Sequence, residues 1–449
     1  MADQGAAATG DTSVAAAPRR RSVLGIGAGV VGAAGAGLLG YGAGLSRPRQ
    51  PEPSGAAGPA GAPTPGWVEA VEPFFGSHQS GIVTAPQAHA SFVALDLLAG
   101  AGREGLRRLL RMWTDDASRL QRGIPTIADP QPDLAGPPSR LTVTVGLGRG
   151  ALVAAGLEGQ APEWLRDLPA FTVDRLERQW SSGDVVAQVC CDDPTVLAHA
   201  VRALLIDATG IAELRWHQQG FRRPASSPAT MRNLFGQVDG TVQPEPSRFD
   251  ELVWCGSEVP AWLRGGSSLV LRRIHMNLET WDELDPAAKE AVIGRRLTSG
   301  APLTGQLETD QPDLEARTSG GLHVIPDFAH ARQAAPAAGA PHERILRRPY
   351  SYDEGLPGNG GLGGSGIAVP RPTLPPAAAA AAEARRTGDA GLLFAAYQRD
   401  PVRQFVPIQR RLDTLDLLNV WTTPIGSAVF AMLPGVAEGS YLGAALLDG

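Results

Sequence analysis

Apolar positions along the chain follow two periods. Leu141-Thr-Val-Thr-Val145 alternates and stops at Gly146, and Asp184–Cys190 is a second extended apolar run. Ser268–His275, Leu392–Tyr397 and Ala428–Leu433 read the same way, so strands are predicted over these five segments. Thr195–Leu205 follows Asp193-Pro194 with helical spacing, and Pro401–Leu417 is helix-like. Strand, helix and strand recur after residue 226. The pattern predicts an α+β protein of two halves, residues 67–225 and 226–449, each an antiparallel sheet with helices on one face.

Three stretches lack either period. Residues 1–46 contain Pro18-Arg19-Arg20-Arg21-Ser22, then a run to Ser46 without charge, rich in Gly and Ala. A basic start followed by a weakly apolar stretch is the pattern of an export signal, and paired arginines point to the twin-arginine route for folded proteins. The alternative, a membrane anchor, has the length but too much glycine for a good apolar helix. Residues 47–66 are Pro/Gly/Ala-rich and read as a linker. Residues 353–388 join Gly-rich, Pro-rich and Ala-rich runs and read as a surface insertion, with a short helix over Ala377–Arg386.

A net charge of −6 argues against a nucleic-acid partner, which needs clustered Lys and Arg. Cys190, Cys191 and Cys255 offer no CxxC or Cys/His spacing, so neither a zinc site nor a disulfide framework is expected.

Candidate chemistry lies in three places. Gly236-Gln-Val-Asp239-Gly240 is a turn motif with one carboxylate. Asp327-Phe-Ala-His330-Ala-Arg332 holds one of eight histidines, and Arg344-Ile-Leu-Arg347-Arg348-Pro-Tyr350-Ser-Tyr352 sets cations beside aromatics. Each alone has a plain structural reading. Their order and spacing together resemble the dye-decolorising peroxidases. Phe74–Val83, Gly391–Gln398 and Pro424–Gly435 extend the resemblance from about Trp67 to the C-terminus, nearest to the exported deferrochelatase/peroxidase subgroup.

That resemblance implies two ferredoxin-like halves, with one haem b per chain in the C-terminal half. It makes His330 the iron ligand, Asp389 its acidic partner, Asp239 the distal carboxylate and Arg347 the distal cation. Gly240, Thr241 and Val242 would line the haem face, and Arg332 would belong to the cofactor site. A metal-bound imidazole wants an acceptor on its other nitrogen, and a carboxylate near the iron can shuttle the peroxide proton. The sequence departs from the family at Ala335 and Ala337, where Asn and Arg are usual, and at Pro349, where Gly is usual. His323 is the alternative ligand.

The implied activity is oxidation of dye-like or phenolic donors by hydrogen peroxide. Trp254, Trp262, Trp281, Tyr350 and Tyr352 are candidates for passing electrons inward, although core packing explains each as well. The alternatives are a periplasmic protein that releases iron from haem, working with iron-uptake proteins, and a haem carrier without turnover. A homodimer is compatible with the resemblance.

Overall fold

The computed structural model describes residues 66–223, 230–355 and 388–449. The arginine-led segment, all but the last residue of the linker and most of the 353–388 insertion, including its Ala-rich helix, lie outside the described residues.

In the first half, β1 (His89–Leu97), α1 (Gly102–Leu120), β2 (Thr142–Leu147), β3 (Val185–Cys191), α2 (Pro194–Asp207) and β4 (Ala212–Phe221) follow one another. Helix α2 begins where the sequence signals it. Asp193 accepts from the amides of Thr195 and Val196, and Pro194 takes the first turn, where no intrahelical partner for its nitrogen exists. On α1, Leu106, Leu109, Leu110, Trp113 and Ala117 recur at helical spacing and are fully buried. Trp113 also donates to the Leu204 carbonyl at 2.9 Å, tying α1 to α2.

The second half comprises β5 (Ser267–Met276), a long crossover carrying the short helix α3 (His330–Ala334), β6 (Leu346–Arg347), β7 (Tyr350–Asp353), β8 (Ala390–Gln398), α4 (Phe405–Leu415) and β9 (Thr422–Met432). Strands β6 and β7 pair in succession with the same edge of β8. Pro349, which lacks an N–H, stands between them.

Strand order is β2-β3-β1-β4 in the first half and β7-β8-β5-β9 in the second. With β6 and β7, which share one register on β8, counted as a single strand, the order is the same in each half, and this is the predicted ferredoxin-like pattern. Edge meets edge twice, β2 with β9 and β4 with β7, so the two sheets close into one antiparallel barrel. Residues Ala62–Gly449 form a single compact unit.

Closure explains the strand sequences. On β3, Val186 and Cys190 face the barrel interior with Phe92, Tyr350 and Phe430, whereas Val185, Ala187 and Val189 pack under the helices. Both faces exclude water, so all seven residues are buried and the run lacks a polar alternation. The predicted elements shift at their ends, and β2 runs through Gly146, its expected stop, to Leu147. Strand β8 runs two residues earlier than predicted. Helix α4 starts at Phe405 because the Asp400 carboxylate binds the amides of Val402 and Arg403 and holds that stretch as a turn. Strand β9 begins earlier, at Thr422, where its half-exposed polar residues hide the period.

Candidate active site

The Gly236–Gly240 motif lies on the connection between the halves. Asn233 shapes its turn by accepting from the amides of Phe235 and Gln237. Asp239 N donates to the Met231 carbonyl, which pins the far side. Gly236 and Gly240 have φ of +78° and +116°, conformations that side chains disfavour. The turn presents the Asp239 carboxylate.

That carboxylate meets Arg347 on β6, with Nη1 donating to Oδ1 at 2.8 Å. Arg347 Nη2 also donates to the Val242 carbonyl at 3.3 Å. Gln243 braces the pair by exchanging two bonds with the Arg347 backbone, at 2.8 and 2.9 Å. Thr241 donates to Glu308, which also accepts from Thr230, and Val242 leaves 49% of its surface exposed beside the ion pair.

His330 is the first residue of α3. Its Nδ1 lies 2.6 Å from Asp416 Oδ2, and the other Asp416 oxygen accepts from the Leu418 amide at 3.0 Å. Because Asp416 is almost fully buried and held at both oxygens, it fixes the ring's tautomer and direction. Burial opposes protonation of His330, but the Asp416 charge and hydrogen bond outweigh it and raise the proton affinity of the ring. The charges of Arg347 and Asp239 also act on His330, in opposite senses. Arg411 of α4 holds α3 in place by donating to the carbonyls of Gln333 and Ala335.

Asp389 is not the partner of His330. It receives Arg273 Nη2 at 2.8 Å and lies 3.8 Å from His275, on the β5 and β8 side of the barrel. Arg273 binds there because Trp180 and Tyr352 sandwich its guanidinium, at 4.3 and 3.8 Å from their ring centroids. Asp416 is separated from His330 by three strands and helix α4 and carries no local motif, so only the fold reveals it.

Arg332 does not present its guanidinium as a free cation. It donates to the Ile325 and Leu314 carbonyls and so secures the loop before α3. His323 is occupied by Asp327 at 2.7 Å. The departures beside His330 find local roles: the Ala335 carbonyl takes Arg411, and the Ala337 amide donates to Glu343. Pro349 offers its carbonyl to Arg222 at 3.4 Å. Among the aromatics, Trp262 and Trp281 spend their N–H groups on the carbonyls of Gln160 and Phe235, and Trp254 stacks on His78 at 3.9 Å.

Among the described residues, no group of three or more His, Cys, Asp or Glu side chains could hold a bare metal ion. A single imidazole with a fixed acidic partner suits a metal that brings its other ligands with it, as haem iron does. The 36% exposure of the His330 side chain, despite its anchored Nδ1, leaves the ring accessible to such a group.

Two family profiles match, described as "Dyp-type peroxidase, N-terminal" over residues 79–222 and "Dyp-type peroxidase, C-terminal" over residues 230–437. The chain belongs to the Dyp-type peroxidase family, and it is a haem-dependent peroxidase, an oxidoreductase. It is 38% identical to a dye-decolorizing peroxidase of Thermobifida fusca, over 98% of this chain and 99% of that protein. It is 33% identical to a deferrochelatase of Yersinia pseudotuberculosis, over 84% and 85%. Among solved structures, a DyP-type peroxidase from Cellulomonas bogoriensis superposes with a TM-score of 0.77 at 49% identity, covering 86% of this chain and all of that one. Ferric DtpA from Streptomyces lividans gives 0.76 at 40%, with the same coverage.

Proposed function

We propose that His330 is the axial ligand of a haem b iron, and that Asp239 and Arg347 handle peroxide in oxidation of dye-like or phenolic donors. The observation that supports this reading is the partly exposed imidazole anchored by Asp416, together with an Asp239–Arg347 ion pair whose charges both act on it. The haem, when bound, supplies the two-electron reduction of peroxide and passes the oxidising equivalents to the donor. His330 offers Nε2 to the iron because Nδ1 is committed to Asp416, which makes the ring a stronger donor. Asp239 can take the proton from one peroxide oxygen and return it to the other. The Arg347 guanidinium favours negative charge on the peroxide oxygens. Gly240 and Val242 lie beside that pair, where they would face the cofactor.

Replacing His330 by Ala is expected to abolish the Soret absorption of haem-loaded protein. A full Soret band in that variant contradicts the axial assignment. Arg347→Leu is expected to keep haem and slow its spectral response to peroxide by at least the roughly 100-fold typical of losing one electrostatic donor; an unchanged rate contradicts its role.

A second reading, release of iron from haem, is supported by the deferrochelatase relatives. It predicts metal-free porphyrin fluorescence when the haem-loaded protein is reduced, and none appearing would leave only the peroxidase. The arginines at 19–21 before an uncharged stretch support export by the twin-arginine route into the periplasm or beyond. Replacing Arg20 and Arg21 by Lys is expected to keep the protein in the cytoplasmic fraction.

A further inference from the structure

The barrel interior carries a polar group that the peroxidase reading does not use. Tyr350 donates its hydroxyl to Cys190 Sγ at 3.5 Å, and both residues are fully buried. Arg348, also buried, lies beside them. Its guanidinium donates to the Thr84 carbonyl and the Gln87 side-chain oxygen, both neutral, and its charge acts on Tyr350 and Cys190. Burial holds the Tyr350 hydroxyl protonated, well above the usual phenol range, and the Arg348 charge acts against that.

The pair is also near Arg347 along the chain. Tyr350 follows Arg347 by three residues, so their Cα atoms are at most about 11 Å apart. When peroxide is consumed without an external donor, side chains of the protein are the reductants available besides peroxide itself and the cofactor. A phenol in contact with a thiol can supply both hydrogens and both electrons for such a step.

We infer that Cys190 and Tyr350 form a covalent thioether when the haem-loaded enzyme consumes peroxide without a donor, between Sγ and the ring carbon next to the hydroxyl. The S–H bond and one ring C–H bond break, and one C–S bond forms. The two electrons and two protons released reduce one hydrogen peroxide to two waters. This inference rests on the proposed haem peroxidase site. The neighbouring thiols serve as internal controls. Cys191 points out of the barrel towards the Ser139 carbonyl, and Cys255 lies against the Arg399 carbonyl, neither beside a phenol. Burial pushes both of those thiols up to about 12.

The test treats full-length haem-loaded protein with a few equivalents of hydrogen peroxide and no donor, then denatures, alkylates and digests it for peptide mass spectrometry. The expected result is a joined pair of peptides bearing Cys190 and Tyr350, lighter by two hydrogens than their sum, with one of the three thiols lost to alkylation. Cys191→Ser should keep the joined pair, and Cys190→Ser and Tyr350→Phe should each abolish it. If the absorption spectrum responds to peroxide while Cys190 stays alkylatable, or gains oxygen instead, the cross-link is refuted and the functional reading stands. If the spectrum does not respond at all, the functional reading fails and the cross-link with it.

Discussion

Single carboxylates decide most of the chemistry in this chain, and two pairs of them can be told apart by substitution. Asp416→Asn removes the charge on His330 Nδ1 and should raise the haem reduction potential, with a loss of about 10–100-fold in haem affinity or peroxide reactivity. Asp389→Asn should leave the potential where it was, since Asp389 serves Arg273. Redox titration of the two variants distinguishes them, and a larger effect from Asp389 would reverse the assignment made from geometry. A third carboxylate, Asp174, pairs with the buried Arg272 of β5, which also binds Ser427 Oγ at 3.2 Å. Asp174→Ala leaves that guanidinium buried without its partner and should cost about 3–5 kcal/mol in urea unfolding. A loss under 1 kcal/mol would mean that water reaches Arg272. At this scale the sequence showed His330, Asp239 and Arg347 through motif and resemblance, because each sits in a recognisable local string. It concealed Asp416, whose meaning depends entirely on a contact 86 positions away, and it lent Asp389 a role that the fold gives to another residue.

Helices α1 and α2 meet through an unusual contact. Asp116 and Asp207 face each other across them, in a cleft that also contains Asp129 and His199. Burial first, and the Asp116 charge second, push the Asp207 carboxyl up to about 8, with Asp115 adding to the effect. Asp116 is itself raised by burial, while Arg119 acts in the opposite sense. The folded protein thus holds a proton that the unfolded chain, with an ordinary aspartate near 3.9, releases. Stability from this contact is complete below about pH 4, declines as pH rises and is gone above about pH 8. Thermal unfolding between about pH 5 and pH 9 should show that decline, and Asp207→Asn should flatten it; an unchanged slope would exclude the pair as its source. Elements were legible where their period survives, as in β2, β5 and α2 with its Asp193-Pro194 start. They were blurred where both faces of a strand are covered, as in β1, whose residues Ala90–Leu95 are all buried. Strand β4, with Glu213, Arg215 and Gln218 among apolar residues, shows no clean alternation either.

The two halves share one interior. Phe92 and Trp216 of the first lie with Tyr350, Tyr397 and Phe430 of the second, and Gln79 bridges the Val145 and Leu433 carbonyls at 2.8 Å each. Neither half can bury that interior alone. Calorimetry of the cofactor-free protein should therefore show a single transition whose measured and van't Hoff enthalpies agree. Two separated transitions would mean that the halves fold independently. The ring of strands was not legible in the sequence, because it depends on two short seams, one of them a single residue pair, Phe221 with Ser351. The repeated strand order has a further consequence. Where the first half joins its opening strands with one regular helix, the second uses the long crossover that brings in His330. One copy of an ancestral unit could keep the scaffold sound while the other drifted, so innovation at the cofactor site need not have threatened the fold that supports it.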